Sequence, residues 1–298
     1  MRRGAATAIV ASGVLVVASA AVVAWVALGR GPSADDAAAR YVAALGAGDL
    51  DALRDLEAVD AGTAALAFEA ATARVEDAEI TGIRTEGDHA VVEATGRIAD
   101  TERPLDFSLR REEGAWVVED NLGRLELTTT LGDTLRVGDA DVPAGSVGLL
   151  PAGYTVSPAP GEVLEGSQDV SIGSGQTVAV AIAARLRDDA AARAQPLLDA
   201  YTASCTTTAV AVPAACGLRI PWAADLATAD RFAYRVERMP QLTFEGAWLF
   251  AAVGGDYVVT VSGTTREGAA ATVTFRDDDW TLRGSYDLDG GELALRPF

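Results

Sequence analysis

The chain has 298 residues with 43 acidic and 24 basic side chains, every basic one an arginine, and its formal net charge is −19. Without lysine, phosphate-loop, Schiff-base and Ser-x-x-Lys chemistry are excluded, and one histidine with two cysteines excludes the usual zinc ligand sets within one chain. So acidic a surface repels nucleic-acid phosphates, and we expect no nucleic-acid partner.

An apolar segment, residues 5–29, lies near the N-terminus, contains no charged side chain and has arginines on both sides. As a helix it is long enough to cross the hydrocarbon core of a bilayer. The surrounding charges predict a cytoplasmic stub at residues 1–4, a single-pass signal-anchor at 5–29 and an extracytoplasmic remainder. The alternative is a signal peptide cleaved after Ala20, but the apolar run continues beyond that point and favours the anchor.

Residues 30–122 are predicted to form the first extracytoplasmic domain. Ser33 and Asp36 have the spacing of a helix capping box, and apolar residues follow at helical intervals. Gly46 and Gly48 are expected to end this helix, and Asp49 to cap the next one. From Glu79 onwards the apolar period changes to two, which predicts two hairpins. The segments YVAALGAGDLDAL, GDHAVVEA and REEGAWVVED resemble the nuclear transport factor 2-like (lumazine-binding-like) family. That resemblance implies a cone of helices against a curved antiparallel sheet, used for catalysis in some members and for binding or spacing in others.

Five side chains of this domain are candidates for function. Tyr41, Phe68, Phe107 and Trp116 form a candidate ligand pocket in the cone, although aromatic residues at such positions more often fill a core. His89 is the sole imidazole, and its place in a Gly-Asp-His turn favours an exposed turn residue over a catalytic one.

Residues 123–184 are predicted to form a small β-sandwich module, because short strands, one of them at 148–156, are separated there by Gly, Pro and Asp turns. The segments LRVGDADV and VGLLPAGYTV resemble PEGA-like surface modules and β-domains of envelope-stress proteins of Gram-positive bacteria. Within the module, the glycine-rich run at 172–176 contains Ser174. It does not match Gly-x-Ser-x-Gly and has no basic neighbour, so a hairpin turn is favoured over a nucleophile elbow or a phosphate loop.

Residues 185–298 are predicted to form a C-terminal α+β domain. A helix is expected from Arg187 to Ser204 with a kink or break at Pro196. Strands are expected after it, among them separate ones at 248–253, 257–262, 271–275 and 280–286. Cys205 and Cys216 are predicted to form a structural disulfide, because an even number of cysteines in an exported chain is usually oxidised. The segments LDAYTASC and VPAACGLRIPW resemble the C-terminal part of membrane-anchored proteins of actinobacteria, in which a helix ending in Cys is joined to a second Cys before a strand.

Two acidic runs, 277–279 and 287–292, raise the question of calcium binding. The second run lacks the ligand spacing of a helix-loop-helix calcium site, and acidic hairpin turns are the favoured interpretation of both.

Together, these patterns predict an α+β, non-catalytic, membrane-anchored binding or scaffold protein on the outer side of a bacterial cell membrane. Its expected partners are the membrane, through residues 5–29, and an envelope protein or cell-wall component. No catalytic, cofactor-binding or metal-binding residue is assigned. The alternatives are an exported protein that binds a small ligand and an envelope hydrolase that uses only carboxylates, for which two acids at a suitable separation suffice.

Overall fold

The computed structural model describes residues 33–298, so the predicted stub and signal-anchor lie outside the described residues. Within this range the chain is α+β and consists mainly of strands. The α-helices are α1 (Ala34–Ala47), α2 (Leu50–Asp55), α3 (Thr63–Glu69) and α4 (Ala190–Cys205). The strands are β1 (Glu76–Glu86), β2 (His89–Ile98), β3 (Thr101–Pro104), β4 (Phe107–Glu112), β5 (Ala115–Glu119), β6 (Gly123–Thr129), β7 (Thr134–Val137), β8 (Ala140–Pro143), β9 (Gly145–Leu149), β10 (Ala152–Pro158), β11 (Leu164–Glu165), β12 (Gln168–Ile172), β13 (Thr177–Ile182), β14 (Arg185–Leu186), β15 (Thr228–Arg238), β16 (Gln241–Glu245), β17 (Leu249–Thr264), β18 (Ala270–Asp287) and β19 (Ala294–Pro297).

The first two helices begin at the residues that their sequence predicts, and the first ends at Gly48, the second of its two predicted stop residues. The Ser33 hydroxyl accepts from the Asp36 backbone N–H, and the Asp36 carboxylate accepts in return from Ser33, so the capping box is confirmed. Gly48 ends α1 in the left-handed conformation, and the Asp49 side chain caps α2 by accepting from the Ala52 N–H.

Residues 33–298 form two compact units. Unit 1 contains residues 33–124, 148–154 and 171–178, and unit 2 contains residues 125–147, 155–170 and 179–298. The chain passes from one unit to the other within strands β6, β9, β10, β12 and β13. The predicted middle module at 123–184 thus contributes residues to both units, and the domain boundaries stay a prediction.

Unit 1 has an antiparallel sheet in the order β1-β2-β4-β5, with β3 also paired to β2. Both predicted hairpins, β1–β2 and β4–β5, are present. Helix α1 packs against β1 and β5, because its apolar face carries fully buried side chains such as Tyr41 and Leu45. The alternating burial along β2 shows that one face of this sheet covers that core.

The middle of the chain adds three small sheets, which have the orders β12-β10-β7-β8, β13-β6-β9 and β11-β14. The predicted strand at 148–156 is in fact two strands, β9 and β10, interrupted at Leu150 and Pro151. Proline lacks the N–H that a strand ladder requires, which accounts for the interruption.

Unit 2 has a sheet in the order β15-β17-β18-β19, with β16 paired to β17, and α4 packs on β16. The helix does not break at Pro196, because α4 is one helix from Ala190 to Cys205, and a kink at this residue stays a prediction. Pro196 is exposed, so its ring points to solvent and the helix loses one backbone hydrogen bond without ending.

The two longest strands of unit 2 differ from the sequence prediction in the same way. We expected breaks at Gly254–Gly255 and at the aspartates 277–279, but both segments lie inside continuous strands, β17 and β18. The register shifts once between the pairs Ala252–Leu282 and Gly255–Trp280, where β17 has the extra residue, and again between Gly255–Trp280 and Tyr257–Asp277, where β18 has it. Two adjacent bulges, one on each strand, therefore offset each other, and the hairpin-turn interpretation of residues 277–279 is wrong.

Candidate functional site

A cleft of about 600 Å³ in unit 1 is the candidate site. Its lining combines apolar groups, hydroxyls and three carboxylates, and it contains no basic side chain. The lining residues are Val91, Val92 and Glu93 of β2, Pro104, Asp106, Phe107 and Ser108 around the start of β4, Asp120 after β5, and Ser174, Gly175 and Gln176 of the turn between β12 and β13.

The cleft lies where β2 exchanges one partner strand for another. Residues 89–92 of β2 pair with β4, whereas residues 95–98 pair with β3. Between these stretches the Ala94 carbonyl accepts from the Leu105 N–H (2.8 Å), and the Ala94 N–H donates to Asp106 Oδ1 (3.0 Å). The Asp106 carboxylate thus takes the place of a missing backbone acceptor, and this holds it at the cleft.

The other two carboxylates reach the cleft from strand β2 and from the residue that follows β5. Glu93 forms an ion pair with Arg84, and Asp120 accepts a hydrogen bond from the Ser108 hydroxyl (2.8 Å). Val91 lies beside them with 55% of its surface exposed, which is unusual for a valine in a sheet. The arrangement attracts a cation, accepts hydrogen bonds and offers apolar contact next to both.

The glycine-rich turn at 172–176 forms one wall of the cleft and is built for close packing. A Cβ atom on Gly173 would lie 2.3 Å from the Pro104 carbonyl oxygen, and one on Gly123 would lie 2.3 Å from the Gly173 oxygen. Ser174 is only 4% exposed, and its hydroxyl donates to the Asn121 carbonyl (3.2 Å). The hydroxyl therefore serves the structure, and the turn interpretation is favoured over a nucleophile elbow.

A buried polar group supports that wall from below. The Asn121 side-chain amide donates to Tyr41 Oη (3.3 Å) and to the Ala58 carbonyl (2.9 Å). Burial raises the pKa of Tyr41 well above its usual value, because the charged phenolate is not solvated there. Tyr41 is thus a neutral structural hydroxyl at every physiological pH.

The four aromatic residues predicted as a ligand pocket are all buried. Tyr41 and Phe107 are in contact, with ring centroids 4.5 Å apart, whereas Phe68 lies under the Arg74 guanidinium and Trp116 near that of Arg111. Phe107 alone among the four lines the cleft. Packing inside unit 1 accounts for all four positions, and their role in ligand binding stays a prediction.

His89 is the first residue of β2, opposite Glu86 and Arg110, and it is exposed. This place beside the turn agrees with the interpretation of His89 as a surface residue.

The disulfide between Cys205 and Cys216 is confirmed, with the Cα atoms 5.7 Å apart and both residues buried. The Trp280 indole N–H donates to the Cys216 carbonyl (2.8 Å), so the bridge is packed into the core of unit 2.

Calcium and other metals have no candidate ligand cluster within residues 33–298, because no group of three His, Cys, Asp or Glu side chains is arranged to hold an ion there. In the same range no helix is long and apolar enough to cross a membrane.

Comparisons of this chain with protein-family models, with curated proteins and with solved structures returned no match. The cleft must therefore be interpreted from its own residues. Sequence reasoning missed Glu93, Asp106 and Asp120, three acids among 43. No signal was available for Asp106, because it occupies a regular polar position in the alternating run from Leu105 to Leu109.

Proposed function

We propose that this chain is a non-catalytic, membrane-anchored binding protein of the bacterial cell envelope, with unit 1 and unit 2 outside the cytoplasm. Two features support this location. The apolar segment at residues 5–29 has arginines on both sides, and the cysteines are joined in a disulfide, which is typical of exported proteins.

The cleft of unit 1 is the observation that carries the binding role. Three carboxylates from separate parts of the chain border one open cleft, and the half-exposed Val91 lies among them. Such a surface suits a protein segment with a basic side chain next to an apolar one. An envelope protein with such a segment is the partner that we propose, in preference to an uncharged wall polymer.

The resemblances seen in the sequence are part of the proposal. We propose a nuclear transport factor 2-like domain for residues 30–122, and the order of three helices followed by an antiparallel sheet supports it. We also propose a PEGA-like module for 123–184, a separate C-terminal domain for 185–298 and an actinobacterial source. The short strands of the middle segment support the PEGA-like module. The helix that ends at a paired cysteine supports the C-terminal domain and the source.

Crosslinking in intact membranes tests the binding role. The full chain is crosslinked, purified and compared with an Asp106→Asn/Asp120→Asn variant, in which each new amide keeps an acceptor oxygen but loses the charge. The control is Glu79→Gln/Asp100→Asn, which removes two charges from a second acidic cleft of unit 1. We expect a partner that is recovered with the natural chain and the control but is lost with the cleft variant.

An identical set of crosslinked proteins from all three chains would refute the cleft as the binding site. The location has its own test, non-reducing mass spectrometry of protein isolated from cells. Free thiols at Cys205 and Cys216 would contradict an extracytoplasmic position of unit 2, whatever the result of the crosslinking.

A further inference from the structure

We propose that the loop closed by the Cys205–Cys216 disulfide is a site of specific proteolytic cleavage, cut between Val210 and Ala211 by a serine protease with a small apolar S1 pocket. This inference goes beyond the proposed binding function and does not depend on the cleft.

The loop has no charged side chain. Residues 200–218 are uncharged throughout. Residues 142–161 are uncharged as well, but most of them lie in strands β8, β9 and β10, whereas the residues between the cysteines lie outside the named strands. Between the cysteines there are only Thr, Ala, Val and Pro, so the loop has no cleavage site for a protease that requires a basic or aromatic residue. Small aliphatic side chains instead match the small S1 pocket of elastase-type enzymes.

The tip of the loop is highly accessible. Val210 is 80% exposed, the largest exposure of any large apolar side chain within residues 33–298, and Ala211 beside it is also exposed. Both residues lie at a bend outside the helices and strands. Exposed loop tips with small residues are the preferred places for proteolytic nicking.

The two ends of the loop are held firmly. Ala209 exchanges both backbone hydrogen bonds with Phe232 of β15 (3.0 and 2.8 Å), and Tyr201 Oη donates to the Ala215 carbonyl (2.9 Å). The cysteines are buried, so the tip projects while its base is anchored in the core of unit 2. This contrast confines the accessible backbone to a few residues around Val210.

The reaction needs only the protease and water. The protease serine oxygen attacks the Val210 carbonyl carbon, the bond from that carbon to Ala211 N breaks, and the protease histidine passes the serine proton to the departing nitrogen. One water molecule then hydrolyses the acyl-enzyme, leaving a carboxylate on Val210 and a free amino group on Ala211. The disulfide still joins the two products, so the chain becomes a covalently linked pair.

This linkage provides a signature for the test. The full-length chain in mild detergent is treated with limiting elastase, and samples are separated with and without reductant and identified by mass. A cut between the cysteines yields two fragments only after reduction, whereas a cut anywhere else separates them without it. We expect reduction-dependent fragments that end at Val210 and begin at Ala211, and no such pair with trypsin.

Two variants complete the test. Val210→Asp places a charge in the apolar S1 pocket and should slow the cut about tenfold or more. Val253→Asp is the matched control, because Val253 is also exposed but lies within paired strand β17, and cleavage should be unchanged. The proposal is overturned if the first cut falls elsewhere, for example in the small-residue turn at 268–270, if the loop stays intact, or if Val210→Asp is cut at the natural rate.

Discussion

The main sheet of each unit contains an interruption of its regular strand pairing, but the two interruptions differ in structure. In unit 1, β2 changes partner around Ala94, and the chain leaves the sheet between β3 and β4. In unit 2, β17 and β18 each have one extra residue next to the pair Gly255–Trp280. These two bulges offset each other, so the strands stay paired on both sides of them.

This difference shows how an interruption produces a site in one case and a filled core in the other. A break in one strand only leaves the Ala94 N–H without a strand partner, and the Asp106 carboxylate accepts from it at the edge of the cleft. Bulges that offset each other keep the strands together, and Tyr257 and Trp280 pack beneath them with ring centroids 5.6 Å apart. An unmatched interruption therefore exposes polar groups, and a matched one does not.

Replacing Trp280, the largest fully buried side chain of unit 2, should cause the largest loss of unfolding free energy among these variants. Trp280→Ala removes the ring under the two bulges and the hydrogen bond to Cys216, so we expect unit 2 to lose about 3–5 kcal/mol of unfolding free energy. Urea unfolding followed by circular dichroism measures it. The control is Trp248→Ala on the surface, which should change stability by about 0.5 kcal/mol at most. Equal losses in the two variants would contradict the structural role of the bulges.

The bulge on β17 is tested by Gly254→Ala. Gly254 has φ +74°, where a Cβ costs about 1–2 kcal/mol, so we expect a destabilisation of that size in urea unfolding. Gly161→Ala is the matched control, because Gly161 has open space around it and no left-handed backbone. A neutral Gly254→Ala would show that β17 passes this level without a bulge.

In unit 1 the corresponding change is Asp106→Ala, which leaves the Ala94 N–H without its acceptor. We expect a loss of about 1 kcal/mol in unfolding free energy, since this hydrogen bond is partly exposed. Asp106→Asn keeps an acceptor oxygen and should restore most of the loss. If the alanine and asparagine variants were equally stable, the carboxylate would not be compensating for the interrupted strand.

The smallest expected effect is that of Tyr41→Phe, about 0.5–1 kcal/mol at neutral pH from the lost hydrogen bond with Asn121. Its signature is the pH dependence. The folded-state pKa of Tyr41 is raised by burial, so its contribution is complete below the usual tyrosine pKa near 10 and is lost as the pH rises above that value. Between pH 9 and pH 11, the unfolding free energy of Tyr41→Phe should therefore fall by less than that of the natural chain. Urea unfolding of both chains at the two pH values measures this difference. Identical losses in the two chains would contradict the burial of a neutral phenol.

Much of the local structure followed from short-range chemistry. The capping box at Ser33, the cap at Asp49 and the β1–β2 and β4–β5 hairpins agree with the sequence prediction, because each depends on residues a few positions apart. Pro196 and the aspartates 277–279 show the limit of the same reasoning. Helix α4 continues through Pro196 because the proline ring is exposed, and β18 continues through the aspartates because its bulge is offset by one on β17. Both outcomes depend on tertiary surroundings that the local sequence does not specify.

By itself, the sequence determined the helix starts, the hairpins, the α+β class and the pairing of the only two cysteines, since those depend on local contacts and on counting. Only the tertiary structure decided that residues 123–184 belong to both units and that Asp106 and Asp120 border one cleft with the glycine-rich turn. Among 43 acids no spacing distinguishes these carboxylates. They are brought together by strand partners far away in the chain, and a long-range pairing is an outcome of the whole packing rather than of any local pattern.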